Sequence, residues 1–307
     1  MDSMRKYVII LPCFNENKAL IELLKEIESL FIDKNVFIEI VVIDDCSYDD
    51  TTKLLKEHSI SINNMKLDIV VLNYNMGHQE AIRQGIGFVL AKNIIADGYI
   101  VMDSDGEDDP KALLELIALE DFEIVFVERG KRHEGIYFKI GYFVYKYLFS
   151  LVIGKKISFG NFSMVNHQLL KVVGSQSFVH YASFLYKQNR RILKLKFDRR
   201  KRIGGVSKMN QKILVFHGLY SLIEFSEEVL YFLMRISVLF FLLDISFASF
   251  LFYQKFISHQ AILGWTSTSL LNLIIITLVL LCTIIIGLIL VSFKKIIHQR
   301  NGQYQEL

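Results

Sequence analysis

The sequence predicts an α/β fold: a mostly parallel sheet flanked by helices, followed by interface helices and two C-terminal transmembrane helices. Over about the first 130 residues, short apolar runs rich in β-branched residues alternate with segments of helical periodicity. Beyond about residue 229 the chain becomes predominantly apolar. In a chain of 307 residues that is 52% hydrophobic, these two patterns indicate a soluble N-terminal domain joined to a membrane part.

The predicted strands alternate with helices, which is the pattern of right-handed βαβ units and of a parallel sheet. Ligands of such sheets bind beyond the carboxyl ends of the strands, so the polar residues that follow each strand are the candidate site. The predicted strands are Tyr7–Leu11, Phe37–Ile43, Asp68–Leu72, Gly98–Met102 and Glu123–Val127. The predicted helices between them are Glu16–Phe31, Asp49–Ser59, Gly77–Ala91 and Lys111–Leu119.

Two apolar segments near the C-terminus are long enough to cross a membrane. Leu270–Phe293 contains 24 residues without a charge, enough for a hydrocarbon core of about 30 Å. Ile236–Tyr253 contains one charge, Asp244, whose insertion costs roughly 2.5–3.5 kcal/mol. We therefore expect transmembrane helices at about 236–256 and 270–293. Asp244 then either pairs across the interface of a homo-oligomer or faces polar groups within one chain.

The basic residues that flank these spans predict their orientation. Arg235 precedes the first span, and Lys294, Lys295 and Arg300 follow the second, whereas the loop between the spans contains only Lys255. The positive-inside rule then places both termini and the soluble domain in the cytoplasm. The three cysteines are widely spaced and indicate no disulfide framework, which fits a reducing compartment.

Two further segments are amphipathic, Tyr137–Ile153 and Lys212–Leu233. Either could be a core helix, but the broad apolar faces rich in Phe and Tyr favour helices that lie in the membrane interface. These patterns divide the chain into a domain over residues 1–209, an amphipathic interface helix over 210–234 and a membrane anchor over 235–307.

Acidic residues cluster after two of the predicted strands. Carboxylates in the first cluster, Asp44–Thr51, can accept hydrogen bonds from ribose hydroxyls or a base N–H, but Asp and Ser in such a loop are also typical helix caps.

The carboxylates of the second cluster, Asp103–Asp109, repel one another unless a cation neutralises them. Asp103 and Asp105 could both bind one divalent ion on a diphosphate, and oxygen ligands favour Mg²⁺ or Mn²⁺. A solvated acidic loop is the alternative, and a calcium loop fits poorly because Leu114 stands at its twelfth position.

A basic block follows the predicted sheet. From Lys187 to Lys208 the chain contains ten Lys or Arg residues and one acidic residue, Asp198. Such a block binds phosphate groups or the surface of an anionic membrane. The adjacent membrane anchor argues against a nucleic acid partner.

Four segments, in this order, resemble the motifs of family 2 glycosyltransferases with the GT-A fold: Val8–Glu16, Asp44–Thr51, Asn75–Gly77 with Ala81 and Gly85, and Met102–Pro110. The resemblance implies a nucleotide-sugar donor and a Mg²⁺ or Mn²⁺ ion held by Asp105 and Asp103. Cys46 stands where the family usually has Gly, so the turn there is expected to differ. The residues that the resemblance implies for the nucleotide-sugar are Pro12, Asn15, Glu16, Asp44, Asp45, Asn75, Gly77, Asp103 and Ser104.

Within that family, the chain resembles the polyprenyl-phosphate glycosyltransferase branch, which includes dolichol-phosphate mannose synthases and bactoprenol glucosyltransferases. Ser158–Ser163 looks like the acceptor-side segment of that branch, and Arg199–Lys208 resembles its Arg-x-x-Arg-x-x-Gly-x-Ser-Lys stretch. The resemblance implies a polyprenyl phosphate acceptor at a bilayer, here a bacterial inner membrane. The residues implied for the acceptor phosphate are Arg129, Arg132, Arg199, Arg202, Ser207 and Lys208.

Many relatives have Asp where this chain has Asn161, at a position proposed for the general base. Asn cannot take a proton, but a phosphate monoester with its second pKa near 6 is already a nucleophile at neutral pH, whereas a sugar hydroxyl normally needs a base. Asn161 therefore favours a phosphate acceptor, unless Asp108 or Asp109 is the base. The catalytic residues are expected to be Asp105, Asp108 and Asn161.

The predicted reaction is an inverting transfer of a sugar from a nucleotide-sugar to a polyprenyl phosphate, with UDP favoured over GDP by family frequency. Two alternatives stay open from the sequence. The acceptor could be a hydroxyl of a glycolipid or polysaccharide, or the chain could be a non-catalytic membrane scaffold that retains the fold.

Overall fold

A computed structural model describes residues 4–58, 60, 62–129, 147, 149–154, 159–203, 211–259 and 264–303. The chain forms two compact units. The first comprises Met1–Lys146 and Lys156–Glu224, and the second comprises Tyr147–Lys155 and Phe225–Leu307.

The first unit contains a seven-stranded sheet in the order β3-β2-β1-β4-β6-β5-β7. All of its strands are parallel except β6, which runs antiparallel between β4 and β5. The predicted mostly parallel sheet is confirmed, and two strands that the sequence pattern did not reveal, β6 and β7, extend it. The strands are β1 Arg5–Cys13, β2 Val36–Asp44, β3 Met65–Val71, β4 Gly98–Val101, β5 Ile124–Arg129, β6 Phe159–Val165 and β7 Ile192–Phe197.

The strand order reverses between β1 and β4. The chain runs from β1 outward to β2 and β3, and then returns to the other side of β1 to form β4. Such a reversal leaves a crevice beyond the carboxyl ends of the two strands, because the connections that follow them turn to opposite sides. The end of β1 at Pro12 and the loop that contains Ser104 therefore lie where an α/β sheet binds its ligands.

Helices cover both faces of the sheet. Alternate residues of β1 point to opposite faces of the sheet. Ile9 and Leu11 pack with α1, α2 and α4 on one face, and Val8 and Ile10 pack with α3, α5 and α6 on the other. Burial on both faces explains why these strands are continuous apolar runs. The helices of this unit are α1 Asn17–Phe31, α2 Thr51–Glu57, α3 His78–Ala91, α4 Ala112–Ala118, α5 His167–Ser175, α6 Tyr181–Lys187 and α7 Gln211–Glu224.

The second unit contains two long helices, α8 Ser226–Phe256 and α9 Trp265–Gln303. Each has a segment long and apolar enough to cross a membrane, and most of the side chains in these segments are exposed. The Thr277 hydroxyl donates a hydrogen bond to the carboxylate of Asp244, so Asp244 has a polar partner within its own chain. A side chain at Gly287 would collide with Leu230, which shows that the two helices pack closely.

The structure divides the segment predicted as one interface helix over 210–234. Helix α7 ends at Glu224, and α8 begins at Ser226, because Phe225 leaves the helical conformation (φ −98°, ψ 34°). The predicted spans at about 236–256 and 270–293 lie within α8 and α9. Of the other predicted interface helix, residues 149–153 are helical, and residues 137–146 and 148 lie outside the described part of the chain.

Helix α3 approaches the sheet closely at Gly85. A Cβ atom at this position would lie 2.5 Å from Cγ2 of Ile10 and 3.0 Å from Cγ1 of Ile43. Gly87 is on the same helix, but a Cβ atom there would meet nothing within 4 Å.

We predict that Gly85→Ala destabilises the protein by about 1–3 kcal/mol, because the helix must move off the sheet. The matched change Gly87→Ala should instead stabilise it by up to about 1 kcal/mol, since Ala favours a helix over Gly. Thermal unfolding of the two variants in the same detergent measures both effects. Equal shifts of the melting temperature would contradict the close packing at Gly85.

Candidate active site at the carboxyl ends of β1, β2 and β4

Asp44, the last residue of β2, organises the loop that follows it. It is fully buried, and its carboxylate accepts a hydrogen bond from the Ser47 backbone N–H (3.0 Å) and another from the Thr52 hydroxyl. This carboxylate therefore stabilises the loop, whereas Asp50, the N-cap residue of α2, makes no side-chain capping hydrogen bond.

Asp45 joins the end of β2 to the start of α3. One of its carboxylate oxygens accepts the backbone N–H of Met76 (2.7 Å), and the other accepts that of Gly77 (2.8 Å). The side-chain amide of Asn75 donates to the Asp45 carbonyl oxygen (3.2 Å). Gly77 has φ 88°, a conformation that favours glycine, so the predicted Asn75–Gly77 motif is a loop bound to Asp45.

The loop after β1 is joined to the loop after β2. The backbone N–H of Asn15 donates to the Ser47 hydroxyl (2.8 Å), and its side-chain oxygen accepts the Tyr48 N–H (3.0 Å). The Glu16 N–H donates to the Thr51 hydroxyl (3.1 Å). Cys46 has φ 60°, in the left-handed region that favours glycine.

The acidic loop after β4 lies against the end of β1. The Ser104 hydroxyl donates to the Pro12 carbonyl oxygen (2.8 Å), across the point where the strand order reverses. The Asp105 carboxylate accepts the Glu107 N–H (3.0 Å). Burial, followed by the negative charge of Asp103, raises the pKa of the Asp105 carboxyl above its usual value. The loop therefore concentrates negative charge where water is scarce.

This donor set fits a divalent cation that is shared with a ligand. No group of three or more His, Cys, Asp or Glu residues in the described part of the chain is arranged to hold a metal. Mg²⁺, however, is typically held by one or two carboxylates together with substrate phosphates and water. A guanidinium nitrogen of Arg202 already lies 3.6 Å from Asp105, so this position accepts positive charge.

The basic segment after β7 lies on the same acidic loop. Arg202 forms an ion pair with Glu16 in addition to its contact with Asp105, and Arg199 pairs with Glu107. A side chain at Gly106 would collide with the side chain of Ile203, which therefore packs directly against the Gly106 backbone. Of the two arginines predicted for the acceptor phosphate, Arg202 thus contacts two carboxylates predicted for the donor side, and Arg199 contacts another carboxylate of the acidic loop.

Asn161 lies on β6 beside the donor side of the site. It is 9% exposed, and its side-chain nitrogen is 2.9 Å from Nε2 of His78, the first residue of α3. The same ring nitrogen is 3.2 Å from Oδ1 of Asp103. His78 therefore lies between the predicted acceptor-side residue and a predicted donor-side carboxylate, and its Nε2 can either accept from Asn161 or donate to Asp103.

For the remaining predicted site residues the structure gives only burial or position in the fold, or does not describe them. Asp108 is buried, and Arg129 is the last residue of β5. Arg132, Ser207 and Lys208 lie outside the described residues.

Sequence reasoning missed three residues of this site: His78, Gln79 and Glu107. His78 and Gln79 directly follow Asn75–Gly77, so their position in the first turn of α3 was the available signal.

Comparisons with known proteins agree with this architecture. A family model described as glycosyl transferase family 2 matches residues 8–174. The chain is 25% identical to the uncharacterized glycosyltransferase YkcC of Bacillus subtilis over 92% of this chain and 87% of YkcC. It is 28% identical to the undecaprenyl-phosphate 4-deoxy-4-formamido-L-arabinose transferase of Klebsiella pneumoniae over 44% of this chain, and it spans only 40% of that relative.

Among solved structures, glucosyl-3-phosphoglycerate synthase from Mycobacterium tuberculosis, in complex with Mn²⁺, UDP and phosphoglyceric acid, has a similar fold. The TM-score is 0.53 at 15% identity, covering 73% of this chain and 78% of that one. The likeness confirms the predicted GT-A fold.

The raised pKa of Asp105 predicts that this carboxylate lowers the stability of the ligand-free protein. The folded state binds the Asp105 proton more tightly than the unfolded state does, so the stability present at low pH is lost as the pH rises through the raised pKa. At pH 7.5, Asp105→Asn should raise the melting temperature by roughly 2–4 °C, the shift that about 1 kcal/mol produces in a domain of about this size. The gain should shrink on acidification.

Thermal unfolding between pH 4 and 8 measures this effect, with the exposed Asp33 changed to Asn as the control. A lower melting temperature for Asp105→Asn at neutral pH would show that the carboxylate is stabilised in the ligand-free site.

Proposed function

Because the chain belongs to glycosyl transferase family 2, we propose that it transfers a sugar from a nucleotide-sugar to a polyprenyl phosphate at the cytoplasmic face of a bacterial membrane. It is a glycosyltransferase, and its relatives include undecaprenyl-phosphate sugar transferases. One observation is central to the proposal. Asn161, which cannot take a proton, lies 2.9 Å from Nε2 of His78, the same ring nitrogen that is 3.2 Å from Oδ1 of Asp103.

The donor side suits a nucleoside diphosphate. The loops held together by Asp45, Asn15 and Ser104 surround the crevice between β1 and β4, and Asp103 and Asp105 offer oxygen ligands at its end. Bound there, Mg²⁺ or Mn²⁺ would neutralise the charge that develops on the leaving diphosphate. UDP is favoured over GDP, in keeping with the UDP bound to the solved structure from Mycobacterium tuberculosis.

The proposed reaction is a single in-line displacement with inversion. A phosphate oxygen of the acceptor forms the new bond to the anomeric carbon while the bond from that carbon to the diphosphate oxygen breaks. No proton needs to be removed, because a phosphate monoester with a second pKa near 6 is already ionised at neutral pH. Asn161 can donate its amide N–H to this acceptor, and Asp108 is then not needed as a base.

The arginines would contribute by changing partners. In the structure Arg202 contacts Glu16 and Asp105, and Arg199 contacts Glu107. A metal and diphosphate at Asp105 would compete with Arg202 for that carboxylate, which leaves its guanidinium for the acceptor phosphate. Arg129, Arg132, Ser207 and Lys208 are proposed to complete the acceptor site.

Helix α7 supports a position of the site at the membrane surface. Its polar residues Ser221 and Glu224 are buried, whereas Leu219, Tyr220 and Ile223 are 42–48% exposed. This arrangement leaves an apolar face outward, and only Phe225 separates α7 from the apolar helix α8. We propose that this face lies in the membrane interface.

The decisive test of function is transfer from a panel of radiolabelled UDP- and GDP-sugars to undecaprenyl phosphate with Mg²⁺ or Mn²⁺. We expect transfer of one sugar, loss of at least about a hundredfold in rate with Asp105→Ala, and no loss with the surface change Asp33→Ala. Undecaprenol, which has the same chain without the phosphate, should not be a substrate.

Transfer to undecaprenol, or to a glycolipid hydroxyl but not to the lipid phosphate, would replace the proposed acceptor with a hydroxyl.

The proposed topology has α8 and α9 crossing the membrane with both termini in the cytoplasm. A green fluorescent protein fused after Leu307 should fluoresce, and alkaline phosphatase inserted between Phe256 and Trp265 should be active, because the positively charged flanks stay inside. The opposite pair of results would show that the topology is inverted.

Assembly into a homo-oligomer through these helices stays a prediction. Comparing the mass of the Asp244→Leu variant with that of the wild type in detergent tests it.

A further inference from the structure

Gln79 lies in the first turn of α3, next to His78. Its side-chain oxygen accepts the backbone N–H of Tyr181 (2.7 Å), and its side-chain nitrogen is 3.5 Å from Oδ1 of Asn161. A backbone N–H can only donate, so it determines which end of the Gln79 amide faces Tyr181. The NH₂ group of Gln79 must then face Asn161.

The orientation of the Asn161 amide follows from that of Gln79. Its oxygen and nitrogen have nearly the same shape, so polar neighbours decide which way the group points. In the observed orientation the oxygen faces the Gln79 NH₂ group, and the nitrogen lies 2.9 Å from His78. The opposite orientation would bring two NH₂ groups together, which is unfavourable even at the long distance of 3.5 Å.

Tyr181, which orients Gln79, is itself held by a buried carboxylate. It is the first residue of α6 and is fully buried. The two residues before it, Val179 and His180, donate their backbone N–H groups to the Glu224 carboxylate (2.8 and 3.3 Å). Glu224 is only 2% exposed, and burial of a carboxylate is costly unless hydrogen bonds satisfy it.

Glu224 belongs to α7, and a second buried contact joins the same two helices. The hydroxyls of Ser183 and Ser221 are 2.7 Å apart, and both side chains are buried. In addition, the Lys187 ammonium donates to the Glu224 carbonyl oxygen (3.2 Å). The start of α6 is therefore fixed by α7, and one polar path runs from α7 through Tyr181 and Gln79 to Asn161.

We propose that Gln79 is a positioning residue of the transfer reaction: it fixes the Asn161 amide so that its N–H, and not its oxygen, faces the transferred group. The inference rests on the proposed function for its chemistry. An N–H at this place attracts an anionic acceptor oxygen, whereas a carbonyl oxygen repels it. Gln79 acts through Asn161 and does not itself contact the reacting atoms.

The test compares Gln79→Leu, Gln79→Glu and the matched control Gln84→Leu. Gln84 is on the same helix, and its side-chain nitrogen bonds only to Glu80 among its described contacts (2.7 Å). Leu at 79 removes both polar functions, whereas Glu keeps an acceptor for Tyr181 and removes the N–H that faces Asn161. We expect kcat to fall about tenfold to a hundredfold in both Gln79 variants, with KM for the donor within about twofold of wild type.

Hydrogen–deuterium exchange of the peptide containing Tyr181 provides a measurement that does not depend on activity. The Tyr181 amide should exchange faster in Gln79→Leu and keep its protection in Gln79→Glu and in Gln84→Leu. In an Asn161→Leu background, Gln79→Leu should lower kcat by less than about twofold further, because the two residues act as one unit.

Each result has a definite meaning. A normal kcat in Gln79→Glu would overturn the proposal, because Gln79 would then only anchor α6. Additive losses in the double variant, or unchanged exchange at Tyr181 in Gln79→Leu, would overturn it as well. A wild-type protein that transfers no sugar to the lipid phosphate would instead refute the proposed function, and the exchange measurement would still decide whether Gln79 holds α6.

Discussion

Negative charge at the carboxyl ends of the central strands is the constraint on which the rest of the site depends. Glu16, at the end of the loop after β1, and Asp105, in the loop after β4 that also contains Asp103, both contact Arg202, and burial raises the pKa of the Asp105 carboxyl. Carboxylates in such a place need cations or N–H donors nearby. Arg202 supplies one cation there, and a metal ion on a bound diphosphate would supply another.

The partners that neutralise or bind each carboxylate separate the acidic residues into two groups. Asp44 and Asp45 direct their carboxylates at backbone N–H groups and a hydroxyl, and so hold loops in place. Asp103 and Asp105 instead lie beside His78 and Arg202, groups that a ligand could displace or share. Carboxylates that stabilise loops and carboxylates proposed to bind the ligand are thus neighbours of the same type, and their contacts distinguish them.

Helix α7 has buried polar contacts on one side and exposed apolar residues on the other. Glu224 and Ser221 face inward and fix α6, whereas Leu219, Tyr220 and Ile223 are exposed. An acceptor that combines a lipid chain with a phosphate must reach the site from a bilayer. A helix that touches lipid on one side and supports Asn161 through α6 and Gln79 on the other suits such an acceptor.

The sequence by itself determined the alternation of strands and helices, the two apolar spans, the acidic loops and the family resemblance, because each depends on local pattern and spacing. Strands β6 and β7, the break at Phe225 and the placement of Asn161 beside His78 were decided only by the tertiary structure. Strand β6 reaches its place by pairing with β4 and β5 from distant parts of the chain, and no local periodicity encodes such a partner. The roles of Gln79 and Glu224 were likewise invisible, since a polar residue on a helix gains its meaning from the donor or acceptor that packing brings to it.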